Sequence, residues 1–139
     1  MKLTKLNSYK LVNIKNLQKY YIDWDYKISG PQKRVKDFLY PYWRTHCVLE
    51  ELIIPGSLLR CDLVNLTRSI VLEVSPLQHT KYNEFFHRSL SGFKESLKRD
   101  LAKGAWAERN GFTFVEIFDD DLKKGLSKAW FLEKYNITL

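Results

Sequence analysis

The chain is poor in the residues that staple or interrupt a fold. Its 139 residues include two cysteines, Cys47 and Cys61, three histidines, four prolines and six glycines. Two cysteines are too few for a disulfide scaffold, and without a secretion signal they are expected to be reduced. With no Cys-x-x-Cys pair and so few histidines, a structural zinc site has no support. No run approaches the ~18 consecutive apolar residues of a membrane span. The first residues, Met1 to Lys19, are basic but hold no apolar block ahead of a small-residue cleavage site, so no signal peptide is expected. There is no internal repeat and no low-complexity segment.

What is present is apolar and basic. Hydrophobic residues make up 45%, with eight Phe, eight Tyr and four Trp. Such a chain can bury a core, and its length suits one domain, 1–139. The net charge is +7, which favours a polyanionic partner. Its distribution is uneven. Residues 1–46 hold ten basic and three acidic side chains, and residues 80–139 hold eleven and nine. Residues 47–79 hold two basic side chains (Arg60, Arg68) against four acids (Glu50, Glu51, Asp62, Glu73). A basic protein therefore has an acidic middle.

Residues 1–30 read as an irregular basic extension, in which 20–24 form either a short strand or a packed loop. Pro31 suits the first turn of a helix. Val35, Phe38, Leu39 and Tyr42 then mark one helical face, with Lys33, Arg34 and Lys36 on the polar one. Pro41 implies a kink or an end. Two β-rich runs, 47–54 and 58–64, flank Pro55-Gly56-Ser57 and read as a hairpin. The run 69–74 is nearly all apolar and reads as a central strand. Residues 75–91 are polar and aromatic, with Tyr82, Phe85, Phe86 and His87. A long helix is expected next, with Leu90, Phe93, Leu97, Leu101 and Ala105 as its apolar stripe. Asn110-Gly111 stops it, 112–118 is a fourth strand, and one helix from Leu122 to Tyr135 closes the chain. The expected order is α-β-β-β-α-β-α, a mixed sheet flanked by helices: an α/β or α+β architecture.

Asp62 and Glu73 interrupt apolar strands, and buried carboxylates are costly unless paired, hydrogen-bonded or bound to metal. They lie eleven residues apart around a short connection, so adjacent antiparallel strands bring both to one sheet end. Two carboxylates with waters and a phosphate oxygen suit Mg²⁺.

Arg60-Cys61-Asp62-Leu63, then Leu72-Glu73-Val74-Ser75, then Gln78-His79, resemble the Asp strand, acidic strand and following polar turn of the PD-(D/E)xK, or restriction-endonuclease-like, nuclease superfamily. The likeness is to its compact branch, which includes very-short-patch repair endonucleases and small phage nucleases. Leu97-Lys98-Arg99-Asp100, Trp106 and Asn110-Gly111-Phe112 resemble its closing helix, turn and strand. The resemblance covers roughly 31–118, leaving 1–30 and 119–139 outside. It implies a restriction-endonuclease-like fold and a Mg²⁺- or Mn²⁺-dependent DNA endonuclease. Asp62, Glu73 and the Val74 carbonyl would hold the metal. His79 would act as base or orient water, and Gln78 would position water or phosphate. Glu51 and Gln32 are additional candidates. Lys33, Arg34, Lys36, Lys94 and Lys98 would grip duplex or branched DNA. A cytoplasmic setting in a bacterium or phage-infected cell, and a homodimer that cuts both strands, go with the same likeness.

One position departs from the family pattern. The superfamily lysine belongs two residues after the acid, and Ser75 stands there. Either its role moves to Gln78, His79 or a helical lysine such as Lys98, or activity is weakened. Lys94, Lys98, Arg99 and Lys103 also read as a solvated helix face, with Glu95 and Arg99 spaced as an i,i+4 pair. Two further readings stay open: a non-catalytic nucleic-acid-binding module on the same fold, and an interaction or assembly factor that docks through 82–86.

Overall fold

Four strands form the central sheet of the computed structural model, which describes residues 1–26, 30–75 and 90–139. They are β3 (Val48–Ile53), β4 (Arg60–Asn65), β5 (Ile70–Ser75) and β6 (Thr113–Phe118), in spatial order β3-β4-β5-β6. The first three are antiparallel neighbours and β6 runs parallel to β5. A parallel pair needs a crossover, and helix α2 (Leu90–Arg109) lies in that connection. The apolar run 70–74 thus occupies an inner strand, as its lack of alternation predicts. The Pro-Gly turn closes as expected: Ile54 N–H donates to Leu59 O (2.8 Å). Gly56 sits at φ +77°, where a side chain would be strained.

Helix α1 (Gly30–Trp43) buries Gln32, Val35, Lys36, Leu39 and Trp43. Pro41 stands two residues from its end, where little of the hydrogen-bond ladder is lost. Val35, Leu39 and Trp43 pack with Val48, Leu63, Ile70, Leu72, Val115 and Ile117 on one sheet face. Leu122, Phe131 and Ile137 complete that cluster. Trp106 and Ala107 of α2 cover the other face with Leu49, Leu52, Cys61, Val64 and Val71. Helices on both faces of a mixed sheet give the α+β architecture expected.

Three expectations are corrected. Residues 1–30 are not wholly irregular: β1 (Lys2–Thr4) and β2 (Leu11–Asn13) pair antiparallel as a separate two-stranded sheet. Tyr21 adds an isolated bridge to Leu49. The C-terminal helix is two helices, α3 (Asp119–Lys124) and α4 (Lys128–Tyr135). Gly125, at φ +89°, ends the first, and Ser127 Oγ caps the second by accepting from Trp130 N–H (3.1 Å).

The third correction concerns α2. Leu97 and Leu101 are 43% and 73% exposed and Ala105 is exposed too, while Trp106 and Ala107 are fully buried. Helix position here follows close approach rather than leucine count. A Cβ at Gly104 would stand 3.3 Å from the Phe114 ring, so this face of the helix lies against β6. The end of α2 is also latched to the N-terminal hairpin. Trp106 Nε1 donates to Thr4 O (2.7 Å), and Thr4 N–H donates to Asn110 Oδ1 (2.9 Å). Asn110 Nδ2 donates to Thr4 Oγ1 (3.0 Å) and to Trp106 O (2.8 Å). Asn110→Leu leaves these buried groups unmatched and is expected to cost ~1–3 kcal/mol in urea unfolding. The exposed Leu101→Ala is expected to change stability by less than ~0.5 kcal/mol.

Candidate functional site

The β4–β5 ladder runs from Asn65↔Ile70 through Leu63↔Leu72. Asp62 and Glu73 stand at the next level, and there the ladder gives way. Asp62 N–H donates to Glu73 Oε2 and Val74 N–H donates to Asp62 Oδ2, each at 2.8 Å. Two carboxylates thus replace the strand carbonyls and satisfy both backbone donors where the β4–β5 pairing ends. An extended residue sends its N–H and C=O to the same side, so the Val74 carbonyl faces the same opening.

The distortion continues into β3. Glu51 lies opposite Asp62, between the paired positions Glu50↔Leu63 and Leu52↔Cys61, and its backbone is left-handed at φ +56°. Regular strands alternate faces. Yet Leu49 and Leu52, three residues apart, join one cluster, as do Cys61 and Val64. Both strands therefore slip by one face at the Glu51–Asp62 level.

Over this opening lies Lys103 of α2. Its Nζ meets Glu73 Oε1 at 2.5 Å, with both side chains largely buried. Lys103 stands one turn before Trp106 and Ala107 and shares their sheet-facing stripe. Glu116 stands beside Glu73, in register on the parallel strand β6.

The electrostatics follow from this crowding. Burial first, then the Glu73 charge, push the Asp62 carboxyl up to about 8. Burial and then Asp62 raise Glu51. Burial raises Asp100 as well, although Lys103 and Arg99 pull it back. Glu116 is raised by burial and then by Asp100. For Lys103, burial disfavours the charged form, but the Glu73 charge and hydrogen bond, with Asp62, outweigh it and hold the ammonium above the usual lysine range. Lys103 is a fixed positive charge rather than a base. The Cys61 thiol is raised by burial and by Glu73, so it is an inert packing group.

A second network lies on the opposite face. Lys36 is fully buried and pairs with Glu50 (2.9 Å). Its ammonium also donates to Asp23 O (2.5 Å) and Tyr26 O (2.7 Å). Gln32 Nε2 donates to Glu50 Oε2 (3.2 Å) and Glu51 Oε1 (3.3 Å), which ties this network to the opening.

Asp62, Glu73 and Val74 therefore come together as the sequence predicts, with Glu51 beside them and Gln32 behind Glu51. Gln78, His79, Tyr82, Phe85, Phe86 and His87 lie outside the described residues. Lys36 is no phosphate contact, since its charge is consumed inside the protein. Lys33 bonds Asp37 and Trp24 O (each 2.9 Å), and Arg34 donates to Leu122 O (2.9 Å). Lys94 and Lys98 are exposed, Lys98 at 3.7 Å from Glu95. The lysine that reaches the carboxylates is Lys103, which the leucine-based stripe had turned to solvent. Its spacing from Trp106 and Ala107 was the available signal.

Asp62, Glu73 and the Val74 carbonyl are hard oxygen donors, a set that suits a well-hydrated Mg²⁺ and not zinc. Among the described residues no group of three or more His, Cys, Asp or Glu side chains forms a metal cage. Both Glu73 oxygens already accept, so an ion there must share or displace the Lys103 contact. Asp62, raised by burial and then by the Glu73 charge, is the donor that gains most from a nearby cation. No family model, curated protein or solved structure matches the chain.

Asp62 also dictates a pH dependence. Its carboxyl sits at about 8 in the fold against an ordinary 3.8. The folded state keeps a proton that the unfolded chain releases. The resulting stabilisation is complete below the ordinary value and is lost as pH rises through about 8. Asp62→Asn keeps an acceptor for Val74 N–H without the charge. Thermal melts in EDTA are expected to show the variant more stable than wild type at pH 9, by on the order of 1 kcal/mol, with the gap closing towards pH 4.

Proposed function

We propose that the chain is a Mg²⁺-dependent nuclease that hydrolyses phosphodiester bonds of DNA at the Asp62–Glu73–Lys103 opening, on a restriction-endonuclease-like fold. The observation that carries this reading is the convergence of two carboxylates and a helical lysine where the sheet parts. Lys103 supplies from α2 the positive charge that Ser75 does not supply from β5. The basic surplus of residues 1–46 supports a polyanionic substrate.

In this reading Asp62, Glu73 and the Val74 carbonyl hold the metal. When bound, it would polarise the scissile phosphate and lower the pKa of an attacking water. Glu73 keeps Lys103 protonated and oriented. The ammonium then stands beside the phosphate oxygens on which negative charge grows, a preorganised electrostatic contribution. Glu51, held by Gln32, fixes the far side of Asp62.

A second reading is favoured by the Glu73–Lys103 contact itself. A lysine that satisfies the carboxylate permanently leaves a non-catalytic nucleic-acid-binding module. The two readings part in one experiment. Cleavage of supercoiled plasmid with Mg²⁺ is expected for wild type and absent for Asp62→Ala and Glu73→Ala. Lys103→Met is expected to lower the rate ~100-fold or more. Wild-type rates from Asp62→Ala and Glu73→Ala refute the site. Salt-sensitive DNA binding with no cleavage by wild type selects the binding module.

A further inference from the structure

The residues that lead from α1 into β3 share a cavity of about 510 Å³ with the segment that crosses them, residues 21–24. Ile22 and Val48 line it with apolar surface, Tyr21 and Trp24 bring aromatic rings, and Arg44 and His46 bring N–H donors. The backbone fixes these walls. Ile22 N–H donates to Val48 O (3.0 Å) and Tyr21 bridges Leu49, which straps the segment to β3. His46 N–H donates to Trp43 O (2.9 Å), so the end of α1 sets its place.

A buried amide sets the His46 ring. Asn65 is fully buried, and its Oδ1 accepts from Arg68 N–H (2.9 Å). Its Nδ2 therefore faces His46 Nδ1 (3.0 Å) as a donor. Nδ1 accepts, and in the neutral ring the proton sits on Nε2. His46 thus offers the cavity an N–H donor of fixed identity.

The charge of the lining selects the ligand. Arg44 is exposed, and its guanidinium makes no ion pair among the described residues. No carboxylate is among the described residues that line the cavity. Ile22 and Trp24 also line a neighbouring cavity of about 530 Å³, where Asp23, Asp25 and Asp37 join them. Its one lysine, Lys33, is already paired with Asp37 (2.9 Å). An anion is therefore favoured on the Arg44 side and repelled on the other. Aromatic rings take the flat face of a base, and a guanidinium holds a phosphate through parallel N–H donors. The volume falls in the roughly 300–1,000 Å³ range of small-ligand sites, which admits one nucleotide and not a duplex.

We propose that this cavity binds a free nucleoside monophosphate, with its base against Tyr21 and Trp24 and its phosphate on Arg44 and His46 Nε2. The site needs no metal and does not rest on the nuclease reading.

The cavity carries its own reporter. Cys47 lines it and is exposed, whereas Cys61 is buried. In EDTA, alkylation of Cys47 by a maleimide, read by mass spectrometry, is expected to slow severalfold as adenosine 5′-monophosphate saturates. By calorimetry, adenosine and inorganic phosphate are each expected to bind ~10-fold or more weakly than the nucleotide. Arg44→Gln, at an exposed position, is expected to melt like wild type, to lose ~10-fold or more in nucleotide affinity, and to bind adenosine unchanged. Tyr21→Ala is expected to weaken both ligands. Asp62→Asn is expected to bind the nucleotide like wild type, which separates this cavity from the carboxylate opening. No saturable protection of Cys47, equal affinity for inorganic phosphate, or full nucleotide binding by Arg44→Gln overturns the proposal. Tighter binding of a 5′-phosphorylated oligonucleotide than of the nucleotide overturns the assignment of a free ligand. Protection of Cys47 without plasmid cleavage leaves this inference and removes the nuclease reading, and cleavage without protection does the reverse.

Discussion

Two backbone amides inside a sheet donate to side-chain carboxylates instead of strand carbonyls, and much of the molecule is arranged around that exchange. Asp62 N–H uses the Glu73 carboxylate and Val74 N–H uses the Asp62 carboxylate. Reciprocal bonding satisfies the donors but concentrates negative charge where water is scarce. The Lys103 ammonium offsets it, so α2 must lie where that side chain reaches Glu73. Two contacts fix the helix there: Gly104 lets it approach Phe114, and Trp106 with Asn110 anchors its end to Thr4. A hairpin a hundred residues away in sequence thereby sets the position of a charge beside the strands.

The other sheet face repeats the device with a different outcome. Lys36 pairs with Glu50, and two loop carbonyls complete its coordination. A buried pair returns little net stability against its desolvation cost, but losing one partner is severe. The Lys36 pair is closed and serves to hold α1 and residues 23–26 on the sheet. The Lys103 pair sits at an opening, beside a second carboxylate with no cation of its own among the described residues. Two similar pairs therefore differ in electrostatic setting because of what stands next to each.

The strands and both central acids are legible in the sequence for local reasons. Pro55-Gly56 marks the hairpin, the apolar run marks β5, and Asp62 and Glu73 stand out because they break apolar runs. Lys103 is illegible by the same logic. A lysine on a helix reads as solvated, and leucines at 97 and 101 pull the inferred face away from it. Burial of Trp106 and the close approach at Gly104 decide otherwise, and both depend on contacts far along the chain. Lys36 fails likewise, because its burial requires Glu50 on another element. The strands of the N-terminal hairpin, three residues each, are too short to show a period. The split between α3 and α4 is marked locally, by Gly125 at a positive φ and Ser127 as a cap.

The charge pattern of the middle segment now has a physical content. Of its four acids, Glu50 and Glu73 are each answered by a lysine from a helix. Glu51 and Asp62 form no ion pair among the described residues, and both are pushed towards their neutral forms. The two acids without a lysine partner thus face each other at one level of adjacent strands, and their crowding favours proton uptake there. Ionised, Asp62 is repelled by Glu73 and in turn repels Glu51. Repulsion yields only if a proton or a cation stands between them. A proton on Asp62 cancels its charge, whereas a divalent ion there would leave a net positive one. One unit of positive charge at Asp62 separates the two states.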